Sequence, residues 1–412
     1  MMFSKKQIAY AAFILAVVFH FLFYFNAYGT AIDVFSNNVK YILAFASILL
    51  MAIVYLTTYW RLDFKEKASL MVFDLLVLCI LVNMVRSLLQ IDSAEGFKSF
   101  FRSSYMALSL FPVLFLLIGV NPRYFYSTNK VLTVYMVVVG LFSLFFLGYF
   151  ELQIFLLMPI FYIILTVPLR TPLGRLYIIL ISASVLIVSM TNRAGILRIL
   201  ISYSILAAYY IIAYLKINKK LMITLVFLIL MLPPAALFLA ARGQSIFQMT
   251  LGENDRPYSQ MDPYADTRTF LYQEVFQDLK VSKSFVFGKG LNAGYHSESF
   301  ETFNRMVVEV GFLQILLKIG IVGFILYVTV IVAAIVKSLK KSRNTFMKSL
   351  GLLLASYIIM LFLENVVAYN LLNVIIWIVI GMCHSEELLV MNDNEIKTFF
   401  RLPYHLSHGL TR

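Results

Sequence analysis

The chain has 412 residues, 61% of them hydrophobic and 13% charged, with a mean hydropathy of +0.86 and a formal net charge of +13. A soluble domain is about half apolar and about a quarter charged, so a water-soluble fold of this length is excluded and the bilayer is the solvent. The positive charge does not point to nucleic acid, because Lys and Arg sit in short segments between apolar runs and form no basic stripe interleaved with aromatics.

A membrane-spanning helix needs about 20 mostly apolar residues. In chain order the sequence predicts about twelve such helices. The first six are Ile8–Phe25, Tyr41–Trp60, Ala68–Leu89, Ser103–Val120, Val131–Phe150 and Leu152–Val167. The rest are Leu176–Met190, Ile196–Leu215, Leu221–Ala241, Ile319–Val336, Phe346–Tyr369 and Leu371–Leu389. The first run follows Lys5 and Lys6, is longer than a signal-peptide core, and is followed only by a weak cleavage candidate at Gly29-Thr30-Ala31. It is read as a retained helix.

Placing the N-terminus inside and alternating sides sorts the cations. The inner segments collect Lys5, Arg61, Lys65, Arg123, Arg170, Arg175, Lys219, Lys337, Lys340 and the tail with Arg401. The short outer loops hold only Lys40, Lys98 and Arg193. This asymmetry follows the positive-inside rule and puts both termini in the cytoplasm.

One segment breaks the rhythm. Residues 242–318 form a single long outer loop between a bundle at 1–241 and a helical segment at 319–412. Long loops on tight bundles usually carry function, and the aromatics of this one argue for packed structure. Asp266 is a suitable N-cap for a helix beginning near Thr267. Gly288-Lys289-Gly290 gives a turn, and Ser299–Leu317 reads as a second helix. No internal repeat of the kind that builds many transporters is visible.

Ionisable residues in or beside membrane helices mark function by default. Arg86, Arg102, Arg193, Arg198, Arg242 and Glu364 all fall in the outer half of the bilayer, whereas Asp74 lies nearer the inner side. Together the arginines suggest an outward cationic pocket, since a planar guanidinium donates two hydrogen bonds at once to a phosphate; snorkelling to the interface is the alternative for any one of them. In the second loop helix, Glu301, Arg305 and Glu309 share one face by their spacing. They are read either as ordinary i,i+4 ion pairs or as a setting for Glu309 as a base. His296 is the only histidine of the loop. No HExxH motif, paired cysteines or acidic cluster offers a metal site, and both Cys79 and Cys383 lie in apolar runs.

From Thr267 to Gly323 the chain resembles the O-antigen polymerase and O-antigen ligase family of membrane glycosyltransferases. The resembling pieces are Arg268 with Leu271-Tyr272, then Gly288-Lys289-Gly290, then Glu309-Val310-Gly311-Phe312-Leu313 through Gly320 to Gly323. Thr191-Asn192-Arg193-Ala194-Gly195 also resembles the family's Ser/Asn-Arg-Gly hairpin. Ligase-like members often carry a His-Asn pair where this chain has Glu309, so the resemblance implies a polymerase in preference to a ligase.

The resemblance implies an all-α GT-C-like bundle in a bacterial inner membrane. Its reaction moves a glycan from undecaprenyl diphosphate onto a hydroxyl of the next lipid-linked repeat unit, with inversion and with no metal or other cofactor. Arg193 and Arg268 would then stabilise the leaving diphosphate, and Glu309, with His296 in reserve, would deprotonate the acceptor. Arg86, Arg102, Arg198, Arg242, Arg305, Gly288 and Gly290 would bind substrate. The implied partners are the lipid-linked oligosaccharide, membrane lipid and a chain-length co-polymerase. The rival expectations are an O-antigen ligase acting on lipid A core and a lipid-linked oligosaccharide flippase or other transporter.

Overall fold

Hydrocarbon offers backbone amides no partner but the chain itself, so long apolar runs close their hydrogen bonds as helices. The computed structural model describes residues 4–28, 37–59, 64–91, 93, 100, 105, 107–145, 159–188, 193–215, 219–241, 269–297 and 302–401. Helices α1 (Lys5–Tyr28), α2 (Asn37–Tyr59) and α3 (Phe64–Leu89) come first. A 3-10 stretch, Ala107–Phe115, then runs into α4 (Leu116–Val120) and turns into α5 (Pro122–Phe145). Next come α6 (Pro159–Leu169), α7 (Pro172–Val188), α8 (Arg193–Leu215) and α9 (Lys219–Ala241). Helix α10 (Thr269–Val281) leads to an antiparallel hairpin, β1 (Tyr295–Ser297) with β2 (Thr302–Arg305), in which Tyr295 faces Arg305. Helices α11 (Gly311–Lys341), α12 (Thr345–Leu363), α13 (Leu371–His384), α14 (Glu386–Val390) and α15 (Asp393–Arg401) complete the described chain.

The protein is an all-α polytopic bundle, but the expected count of about twelve spans is not met by its helix lengths. Among the described residues six helices are long and apolar enough to cross a membrane, or up to seven if one bent pair is a single span. Two expected spans, Ser103–Val120 and Leu371–Leu389, fall short for visible reasons, and a third, Phe346–Tyr369, ends earlier than expected but still counts among the six. Pro112 lies inside a tight 3-10 stretch, and that stretch with α4 meets α5 at 114°. Helix α12 stops at Leu363, and residues 364–370 run without helix to the Asn370 cap of α13. Helix α13 then ends at His384, and its 14 residues reach only about 21 Å at 1.5 Å each.

The loop also differs from its sequence reading. The expected second helix, 299–317, is a strand at Thr302–Arg305, a link at 306–310 and a helix only from Gly311. Thr and Phe favour a strand, and the pairing of Arg305 with Tyr295 settles the choice. Arg305 and Glu309 therefore share no helical face, and Glu301 and Asp266 lie outside the described residues.

Helix α13 is buried at every position from Leu371 to Cys383, as expected of a helix apolar all round at the centre of a bundle. Gly119 of α4 and Gly381 of α13 make the closest crossing, since a Cβ on either would lie 1.9 Å from a carbonyl oxygen of the other helix. Such small-residue contacts let helices pack where lipid supplies no hydrophobic drive. By contrast α1–α3 show apolar residues on their outer faces, with Ile42 63% and Val82 58% exposed, which suits contact with lipid.

Charge sorts the two ends of the bundle. At one end Lys337 and Lys341 meet Glu386, Lys219 donates to the Lys340 carbonyl, and Arg401 donates to the carbonyls of Leu169 and Arg170. The Asn344 side chain caps α12 there and also donates to Leu388 and Met391. Helix α1 lies along α5, with Phe13 and Phe125 lining one small void and the His20 ring 6.3 Å from that of Tyr135. The Lys5 end of α1 thus joins the same end of the bundle.

Helix α11 is broken at Gly320, whose φ of 69° and ψ of −173° are not helical. The segment 285–290 fills the gap with four backbone hydrogen bonds. Lys289 and Gly290 donate to the Leu317 and Lys318 carbonyls, and Ile321 and Val322 donate to the Phe285 and Val286 carbonyls. Gly288 has φ +73°, and a Cβ there would lie 2.5 Å from the Lys318 carbonyl oxygen and 2.6 Å from the Gly320 nitrogen. Left-handed backbone costs other residues roughly 1–2 kcal/mol before any clash is counted. Gly288→Ala should lower the Tm of the purified protein in detergent by a few degrees. Gly174→Ala, whose added carbon meets nothing closer than 3.4 Å, should leave it unchanged; equal midpoints for the two variants would contradict the splice.

Candidate functional site

The end opposite the lysine-rich segments gathers the last turn of α3, the start of α8, the hairpin and the two ends of the 364–370 segment. Helix α3 delivers two anchors one residue apart. Arg86 Nη1 donates to the Gly288 carbonyl at 2.8 Å, and Ser87 Oγ accepts from the Leu291 amide at 2.7 Å. The Ser87 hydroxyl also donates to the Asn83 carbonyl, so its own helix turns it towards the loop. Lys289 reaches back over its turn to Asp278 Oδ2 at 2.8 Å and to the Gly294 carbonyl at 3.0 Å. Beneath them Lys318, fully buried on α11, donates from Nζ to the Leu291 carbonyl.

Between α3 and this loop lies an open cleft of about 400 Å³, with Arg86, Gln90, Lys289 and Asn292 on its walls. Asn292 Oδ1 is a buried acceptor without a hydrogen-bond partner.

The hairpin next to the cleft carries a second group. Arg305 Nη2 donates to Glu309 Oε1 at 2.7 Å, and Ser297 Oγ donates to Glu274 Oε2 at 2.8 Å. Tyr295 is buried beside Arg305. Burial raises its phenol pKa above the ordinary value, while the Arg305 charge pulls the other way. His296 lies exposed between the buried Tyr295 and Ser297, on the other face of the strand. The link that follows is pinned at Val308, whose amide donates to Gln314 Oε1 and whose carbonyl accepts from Asn365 Nδ2.

A third group is deeper. Arg198 Nε and Nη2 donate to Glu364 Oε1 and Oε2 at 3.0 and 2.8 Å, and the two side chains are only 8% and 15% exposed. The Glu364 carbonyl accepts from the Gly311 amide. This bidentate pair therefore joins α8, α12 and the start of α11.

The structure thus divides the arginines expected to form one pocket. Arg86 lines the cleft, Arg305 is paired on the hairpin, and Arg198 is held by Glu364. Arg193 is the first residue of α8; Arg102, Arg242 and Arg268 lie outside the described residues. Gly288 and Gly290 flank Lys289 of the cleft wall, with their backbone engaged by α11 and α3. Asp74, read from sequence as a bundle-internal group, accepts from the Tyr55 hydroxyl at 2.8 Å. Sequence reading passed over Glu274, Asp278, Asn292 and the roles of Tyr295 and Lys318. The partners of Glu274, Asp278, Tyr295 and Lys318 lie on other elements or beyond a turn, and no local spacing marks them. Among the described residues no group of His, Cys, Asp and Glu could hold a metal ion.

Comparison of the chain with protein-family models, with curated proteins and with solved structures finds no match.

Removing one partner of a buried ion pair leaves an uncompensated charge and typically costs about 3–5 kcal/mol, whereas removing both costs much less. Arg198→Met should therefore lower Tm strongly, and Arg198→Met with Glu364→Gln should recover most of the loss. A double variant as unstable as the single one would show that Arg198 stabilises by other contacts.

Proposed function

We propose that this protein is a membrane glycosyltransferase that joins undecaprenyl-diphosphate-linked oligosaccharide repeat units into a surface polysaccharide. The observation that carries this reading is the open cationic cleft beside the Tyr295–Arg305–Glu309 group, at the end of the bundle opposite the lysine-rich segments. Under the positive-inside rule the lysine-rich end faces the cytoplasm, and this supports a cleft that opens on the outer face of a bacterial inner membrane. The order of Arg268, Gly288-Lys289-Gly290 and Glu309 through Gly323 along the chain supports the same reading through its resemblance to the O-antigen polymerases.

The donor already carries an activated anomeric carbon, so the protein must stabilise a departing diphosphate and accept a proton from the attacking hydroxyl. Arg193 and Arg268 take the first task and Glu309 the second, with His296 as its rival. Arg305 holds the Glu309 carboxylate in place. Direct displacement inverts the anomeric centre. A chain-length co-polymerase fits the same scheme as a partner.

The test is polymer formed per unit time from purified lipid-linked repeat at equal enzyme. Arg193→Ala and Arg268→Ala should each abolish polymer, with Lys rescuing only in part because a point charge lacks the bidentate fork. Glu309→Gln should lose roughly a hundredfold to ten-thousandfold, the usual worth of a general base, and His296→Gln less. A dead His296→Gln beside an active Glu309→Gln reverses the base assignment. No polymer from the wild-type protein refutes the reaction.

Orientation has its own check. An impermeant thiol reagent on whole spheroplasts should label a cysteine placed at Tyr264 and spare one placed at Lys340. The opposite pattern would turn the cleft to the cytoplasm and end this reading.

A further inference from the structure

We propose that the cleft between α3 and the 284–294 loop is a subsite for an oxyanion-bearing sugar, either a sugar carboxylate or a sugar-linked phosphate. This deepens the proposed function and rests on the reading that a lipid-linked glycan is handled at this end of the bundle.

Size and lining set the ligand class. At about 400 Å³ the cleft falls in the range of small-molecule sites, roughly 300–1,000 Å³. Most such sites are lined chiefly by apolar and aromatic side chains. Here Ile91 and Ala293 are the only apolar side chains among the described lining residues, and no aromatic ring is present. An apolar ligand would gain little, whereas a polyhydroxylated one finds a donor or acceptor on most of the wall.

Charge adds the anion. Lys289 is balanced by Asp278 at 2.8 Å, so among the described lining residues the uncompensated charge belongs to Arg86. The bond from Arg86 Nη1 to the Gly288 carbonyl fixes the plane of the guanidinium, and a fixed fork loses little entropy when its other donors take an oxyanion. Asn292 and Gln90 add side-chain amides to the same walls, and an amide group can both donate to and accept from sugar hydroxyls. A site with a fixed cationic fork among amide side chains fits a group bearing both an oxyanion and hydroxyls.

Binding is measured without turnover, by saturation-transfer NMR titration of the full chain in detergent micelles. The probes are methyl β-glucuronide, methyl β-glucoside and inorganic pyrophosphate. The glucuronide should bind at least about tenfold more tightly than the glucoside, as expected for a charge-assisted contact. Arg86→Gln should remove that preference. Gln90→Trp, at an exposed position on the rim, should block the cleft without touching the fold. Glucuronide binding that pyrophosphate does not displace assigns the carboxylate. Pyrophosphate binding that is lost in both variants, with no glucuronide binding, assigns the phosphate. Equal binding of glucuronide and glucoside, no binding of either anion, or binding unchanged in both variants overturns the proposal. Because no polymer is required, an inactive polymerase assay with anion binding intact would sink the proposed reaction and leave the subsite standing.

Discussion

The break in α11 at Gly320 is the constraint on which the functional end depends. A helix interrupted in its interior exposes carbonyls at one stub and amides at the other, and such groups are expensive unless paired. The 285–290 segment pairs both stubs, accepting from one and donating to the other. That fixes the loop to the membrane bundle by backbone alone. Arg86 and Ser87 of α3 then bond to the same loop, and the cleft wall and the start of the hairpin follow from where it is held.

Much of the helical framework was legible in the sequence because apolar length is a strong signal and needs no tertiary knowledge. Runs such as Tyr41–Trp60 and Ala68–Leu89 reappear as α2 and α3 within a few residues. What hydropathy cannot register is backbone geometry. The expected span Phe346–Tyr369 runs past Leu363 into residues 364–370, where two asparagines cap and tie the chain, and it runs irregularly where surrounding protein shields it. The hairpin escapes a spacing argument for a related reason: Glu301, Arg305 and Glu309 have helical spacing, but Tyr295 offers Arg305 a strand partner ten residues away.

The site was legible in residue type and less so in arrangement. Arginines at one end of the bundle were visible from topology, and sequence could not say which carboxylate each would meet. Arg198 meets Glu364 across 166 residues, so it serves the scaffold, whereas Arg86 meets a carbonyl and keeps its charge. Gly288 and Gly290 illustrate the converse. A Gly-x-Gly turn suggests a ligand against bare backbone, and here bare backbone is needed first for α11 and for Ser87.

The long separation of these partners also bears on how the protein is made. A ribosome adding about 5–20 residues per second needs roughly ten to thirty seconds to carry synthesis from Arg198 to Glu364. During that interval the guanidinium of Arg198 is made before the carboxylate it will pair with, and for the first part of it the Leu291 amide that will donate to Ser87 is not yet made either. The brace between α8 and α12 can therefore close only once the last third of the chain is being made.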